Sequence, residues 1–109
     1  GRCCLDVGYL LFGEDYQRGE FLVQINQIHR QYENQLGTEL GDHLCNMLNL
    51  LSSCDDHEFK KDLVLNIMIP AVEKMLGAFS GNSEHLFVFP LEVICQILQA
   101  EFQAERVSV

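Results

Sequence analysis

The stretch DDHEFKKDLVLNIMIPAVEKMLGAF, Asp55 to Phe79, carries the longest helical pattern in the chain. Asp55 is placed to accept hydrogen bonds from the first-turn amides while Glu58, three residues on, reaches back, a capping box with Asp in place of Ser or Thr. Asp55, Asp56 and Glu58 set negative charge at the positive end of the helix dipole, and Lys74 lies near the other end. At about 100° per residue, Asp62, Asn66 and Glu73 fall in one narrow sector, and large apolar residues from Phe59 to Leu76 fill most of the remaining circumference. Such a helix requires neighbours on more than one side. Pro70 removes one hydrogen bond and crowds the Asn66 carbonyl, which predicts a kink or a restart there. Ile69, just before it, falls on the polar line and reads as an exposed apolar residue, a partner-contact candidate.

The two helices upstream are simpler. From Glu20 to Leu36, Phe21, Ile25, Ile28, Tyr32 and Leu36 recur at helical spacing while Gln24, Gln27, Gln31 and Asn34 face away, and Gly37 follows as a left-handed terminator. A second one-sided helix is expected from Glu39 to Ser53, with Leu40, Leu44, Met47, Leu48 and Leu51 inward and Asn46, Asn49, Ser52 and Ser53 outward. The links at Gly37-Thr38 and Cys54 are short enough to make these helices antiparallel neighbours. Further back, Cys3-Cys4-Leu5 with Val7, Tyr9, Leu10, Leu11 and Phe12 forms an apolar cluster weakened as a helix by Gly8 and Gly13, one or two turns packed on the core.

Downstream, Ser80-Gly81-Asn82-Ser83 reads as a turn, and a last element runs from His85 to about Phe102. Its polar residues Glu92, Gln96, Gln99 and Gln103 form a single line, so it too is expected to be covered on two sides, with an irregular start at Val88-Phe89-Pro90. Two one-sided helices followed by two that are apolar nearly all round exceed what a free-standing four-helix bundle needs. The paired helices, with Ile69-Pro70-Ala71-Val72 followed by Met75-Leu76, resemble HEAT or armadillo repeats over at most two helix pairs, and the chain shows no self-similarity at a period of about 40 residues. The expected fold is all-α: four to five antiparallel helices as a compact bundle or a HEAT/armadillo-like array of helix pairs.

Composition agrees with one domain over residues 1–109, a short apolar N-terminal segment (1–19) preceding a helical core (20–109), since 48% hydrophobic content supports a real core. Sixteen acidic against seven scattered basic residues give a net charge of −9, which repels a phosphate backbone, so nucleic acid is not an expected partner. No apolar run reaches the roughly 18 residues that span a bilayer, so no membrane partner is expected either. The opening Gly1 fits an excised domain or a secreted chain after cleavage. Five cysteines, odd in number and mostly on apolar faces, read as reduced thiols, and no Asn-x-Ser/Thr sequon occurs, which together favour the cytoplasm or nucleus.

Motifs for chemistry are sparse. His43-x-Cys45 and Cys54-x-x-His57 hold zinc-ligand types, but residues 45 and 54 are about 13 Å apart along a helix, so no metal is expected. His57-Glu58 opens like a zinc-protease helix, yet the position four on is Lys61; Gly77-Ala-Phe-Ser80-Gly81 has the wrong spacing for a nucleophile elbow. Asp55-Asp56 and Glu14-Asp15 sit at helix starts, where capping accounts for them. His29 and His85 have no acidic or nucleophilic companion nearby in sequence and read as solvated or partly packed. No catalytic residue and no cofactor is therefore expected. The most concentrated apolar knot outside the central helix is Leu86-Phe87-Val88-Phe89 before Pro90, and Phe87 and Phe89 join Ile69 as partner-contact candidates. These features fit a non-catalytic helical module for protein association or self-association, part of a larger scaffold. The alternatives are a secreted four-helix signalling protein, a non-catalytic piece of an enzyme, and a small ligand-binding bundle.

Overall fold

Over residues 5–78 and 88–103, which a computed structural model of the chain describes, helices form where the apolar spacing places them and strands do not. The elements are α1 (Val7–Phe12), α2 (Tyr16–Gln31), α3 (Leu44–Ser53), α4 (His57–Leu63), α5 (Ile69–Ala78) and α6 (Val88–Leu98), with π turns at Val64–Met68 and Gln99–Gln103. The fold is an all-α compact bundle. Its radius of gyration is 14.0 Å, against about 13 Å for a compact chain of this length. Leu86 and Phe87 lie outside the described residues.

The central stretch is a continuous rod, α4, π turn and α5. Its cap is Asp56 rather than Asp55: the Asp56 carboxylate accepts from the Phe59 amide at 3.1 Å, while Asp55 takes the Tyr32 hydroxyl at 3.0 Å. That second bond ties the end of α2 to the link between α3 and α4. At Pro70 the expected break takes a specific form. In a π turn each carbonyl is taken by the amide five residues on, as Ile69 N–H does with Val64 O, so the ladder is already widened where the proline ring arrives.

The same turn overturns the reading of Ile69. An extra residue in the ladder sets the following helix back by about one residue step, roughly 100°. Ile69 thereby rotates off the polar line and into the core, where it is 3% exposed. Ala71, Val72 and Met75 are buried with it.

α5 is covered on two sides, by α1 and by α6. The second π turn follows α6 and packs on the first, which precedes α5, so α6 runs antiparallel to the rod. Stacking of His57 on Phe102, ring centres 6.3 Å apart, closes that end. On the other side, Lys74 donates to the Leu10 carbonyl at 3.3 Å and holds α1 against α5.

α2 begins a turn earlier than expected, at Asp15, whose carboxylate accepts from Tyr16 N, and ends at Gln31 rather than Leu36. Glu33 takes the left-handed conformation (φ 57°), and Gly37, also left-handed (φ 70°), sits inside the following loop rather than at the helix end. The loop extends to residue 43, so Leu40, expected inward on a helix, is exposed. Asn46, expected outward, is instead buried and donates to the Leu40 carbonyl at 2.8 Å. Leu44, Met47 and Leu50 carry the core face of α3.

Candidate association surface

Polar side chains that converge in the interior do so to hold the N-terminal half together. Asp42, 0% exposed, accepts from Gly8 N–H at 3.1 Å and from Arg18 Nε at 3.2 Å, and Arg18 also bonds the second Asp42 oxygen at 3.3 Å and Asp6 at 3.4 Å. Arg18 lies over the Tyr9 ring, 5.5 Å from its centre. A buried carboxylate is retained only when paired and hydrogen-bonded, and here both conditions hold. The approach is tight: a Cβ on Gly8 would come within 2.6 Å of Asp42 Oδ2, so that position requires glycine.

His29 is a second knot, buried in α2, with Nε2 3.0 Å from the Gly41 carbonyl and Nδ1 3.2 Å from Asn34 Nδ2. The loop 32–43 is thus pinned to α2 at both ends. Val7 N donates to Asp42 O and Leu44 N to Leu5 O, a short antiparallel bridge joining the start of α1 to the start of α3.

Asp6, Glu39 and His43 approach one another closely enough to hold an ion. The hydrogen bonding opposes it. His43 Nδ1 accepts from Cys45 N at 3.1 Å, so in the neutral ring the proton sits on Nε2 and no lone pair is left for a cation, while Asp6 is already paired with Arg18. His43 and Cys54 stand at opposite ends of α3, flanking Leu44–Ser53. Cys45, Cys54 and Cys95 are free thiols, Cys45 exposed and the other two buried.

Among the described residues, two titrating groups depart from their ordinary behaviour. The Tyr32 hydroxyl is held protonated by hydrogen bonding with Cys54 and then Asp55, which pushes its pKa up. Burial, and after it the charge of Glu73, pushes the Cys95 thiol up. Tyr32 and Cys54 also line a small cleft of about 140 Å³ with Ile28, Gln31, Asp56 and Phe59.

The partner-contact candidates separate. Ile69 belongs to the core, Phe87 lies outside the described residues, and Phe89 is 73% exposed. On α6, Leu91, Cys95 and Leu98 are buried, with Phe102 following them on the π turn. Phe89, Val93 and Ile97, each four residues apart, lie about 170° away on the opposite side of the same helix. Val93 is half-buried and Ile97 is 53% exposed. Among the described residues, the expected two-sided cover of this element is therefore present on one side only. Exposed Glu92 borders the open stripe, and exposed Glu101 stands one turn beyond Ile97. A second apolar surface was hidden in the sequence by the glutamines around it: Tyr16, 75% exposed, and Val23 lie on one face of α2 with Gly19, Glu20 and Gln24, along an open groove of about 580 Å³.

No helix among the described residues is long and apolar enough to cross a membrane. Compared with protein-family models, with curated proteins and with solved structures, the chain matches none. The likeness of 69–76 to HEAT or armadillo repeats thus rests on residue types alone.

Proposed function

We propose that the chain is a non-catalytic helical module for protein association or self-association, part of a larger scaffold, and that it works in a reducing compartment, the cytoplasm or nucleus. The observation that carries this reading is the second apolar face of α6. A helix that buries Leu91, Cys95 and Leu98 on one side and exposes Phe89 and Ile97 on the other has the composition of an element sandwiched between two layers. Covering Phe89 and Ile97 would contribute about 1.5 to 3 kcal/mol for each side chain fully removed from water.

The interior polar groups support a structural rather than a chemical use. Asp42, Arg18 and His29 are each engaged in joining α1, α2 and the loop 32–43. The buried free thiols of Cys54 and Cys95 are compatible with a reducing environment.

The test is capture from cell extract with the wild-type chain and with Phe89→Ala and Ile97→Ala, alongside sedimentation of the chain alone. A defined protein retained by the wild type and lost from both variants, with helicity unchanged by circular dichroism, supports the reading. Capture that is indifferent to both substitutions, together with a monomer that leaves the α6 face empty at all concentrations, removes it.

A further inference from the structure

We infer that the occupant of the open face of α6 is a basic amphipathic helix, seated on the Phe89-Val93-Ile97 ridge with lysine or arginine side chains against Glu92 and Glu101. This assignment rests on the association role argued above and names the partner's chemistry. Three side chains four residues apart form an i±4n ridge, which packs into the groove between matching ridges of another helix. The stripe from Phe89 to Ile97 rises about 12 Å, two helical turns, the reach of a helical segment that reads a surface with anchors at i, i+3, i+4 and i+7.

Charge selects among helices. Glu92 at the edge of the stripe and Glu101 beyond it are exposed. The whole chain carries −9. A helix bearing Lys or Arg beside its apolar stripe is attracted to this rim, and an acidic one is repelled.

A second copy of the chain is the poorer occupant. In a two-fold pairing the same patch meets itself, so Glu92 and Glu101 of each copy would face those of the other across an apolar strip only two turns long. A stable dimer needs about 800 Å² from each partner.

The test uses the full chain and three synthetic helices of roughly 18 residues, sized to cover the stripe. One has leucines at helical spacing flanked by lysines, one has the lysines replaced by glutamates, and one keeps the lysines but scrambles the leucines off a single face. By fluorescence anisotropy the first is expected to bind at least about tenfold more tightly than the other two, and to weaken as salt is raised. Phe89→Asp and Ile97→Asp are each expected to lower its affinity about tenfold or more with the fold intact by circular dichroism, and Val23→Asp on α2 to leave it unchanged. Glu92→Lys shifts preference toward the glutamate peptide.

Equal binding of all three peptides, no binding, or loss with Val23→Asp but not Ile97→Asp overturns the inference. A dimer in sedimentation that Ile97→Asp dissolves replaces the basic helix by a second copy, overturning this assignment while leaving the association role standing. A Phe89-dependent partner captured from extract that shows no charge preference does the same.

Discussion

Asp42 is the side chain on which the N-terminal half turns, because its two oxygens gather Gly8 N–H and the Arg18 guanidinium with no exposure to solvent. Asp42→Asn keeps the shape but leaves Arg18 without its buried counter-charge, and is expected to cost about 3 kcal/mol, read as a lower urea midpoint with unchanged slope. A loss under 1 kcal/mol would show the pair to be dispensable. Nothing local in the sequence marks Asp42, since its partners lie 24 and 34 residues away. His29 was legible only as a side chain without a local companion, and its burial depends on the loop carbonyl of Gly41. At the same scale, Cys95 and Tyr32 both hold their protons more tightly in the folded chain than in the unfolded one. Their contribution is fully present below the ordinary thiol and phenol range and is lost as pH rises through it, because there the unfolded state releases protons that the folded state retains. Unfolding midpoints are therefore expected to fall above about pH 8.5, and less steeply in Cys95→Ala than in the wild type. A midpoint that rises with alkali would contradict both assignments.

The elements show how far periodicity carries and where it stops. Helical spacing located α2, α3, the central rod and α6, and capping chemistry marked the starts at Asp15 and near Asp55-Asp56. Boundaries moved wherever a loop found better partners than a continued helix: Asn46 and His29 satisfy the carbonyls of Leu40 and Gly41, and the segment expected to begin α3 stays irregular. The π turn at Val64–Met68 departs further from a uniform helical pattern. Pro70 signalled a disturbance, but a constant angle per residue could not register the extra step that turns Ile69 inward. A proline inside an intact α-helix costs about 3 kcal/mol. With the ladder already opened, Pro70→Ala is expected to change stability by less than about 1 kcal/mol, measured by chemical denaturation. A gain near the full penalty would mean that the proline strains the rod rather than sitting in a turn shaped for it.

Across the whole molecule, the −9 charge sets a background of self-repulsion against which the core must hold. Raising monovalent salt from about 0.01 M to about 0.15 M shortens the screening length from roughly 30 Å to 8 Å. The thermal midpoint is expected to rise by a few degrees in calorimetry, and a fall would show that attractive pairs such as Arg18 with Asp6 and Asp42 outweigh the repulsion. The amino-acid order alone determined that the chain is helical, acidic and rich in apolar perimeter toward its C-terminal end, because these follow from local spacing and composition. Only the tertiary structure decided which part of that perimeter is used up. α1 folds back onto one side of α5 and α6 onto another, while the far side of α6 is left with Phe89 and Ile97 in solvent. That division depends on which segments meet in space, through contacts such as Lys74 with Leu10 and His57 with Phe102, and no period within a single helix encodes a neighbour so distant in the chain.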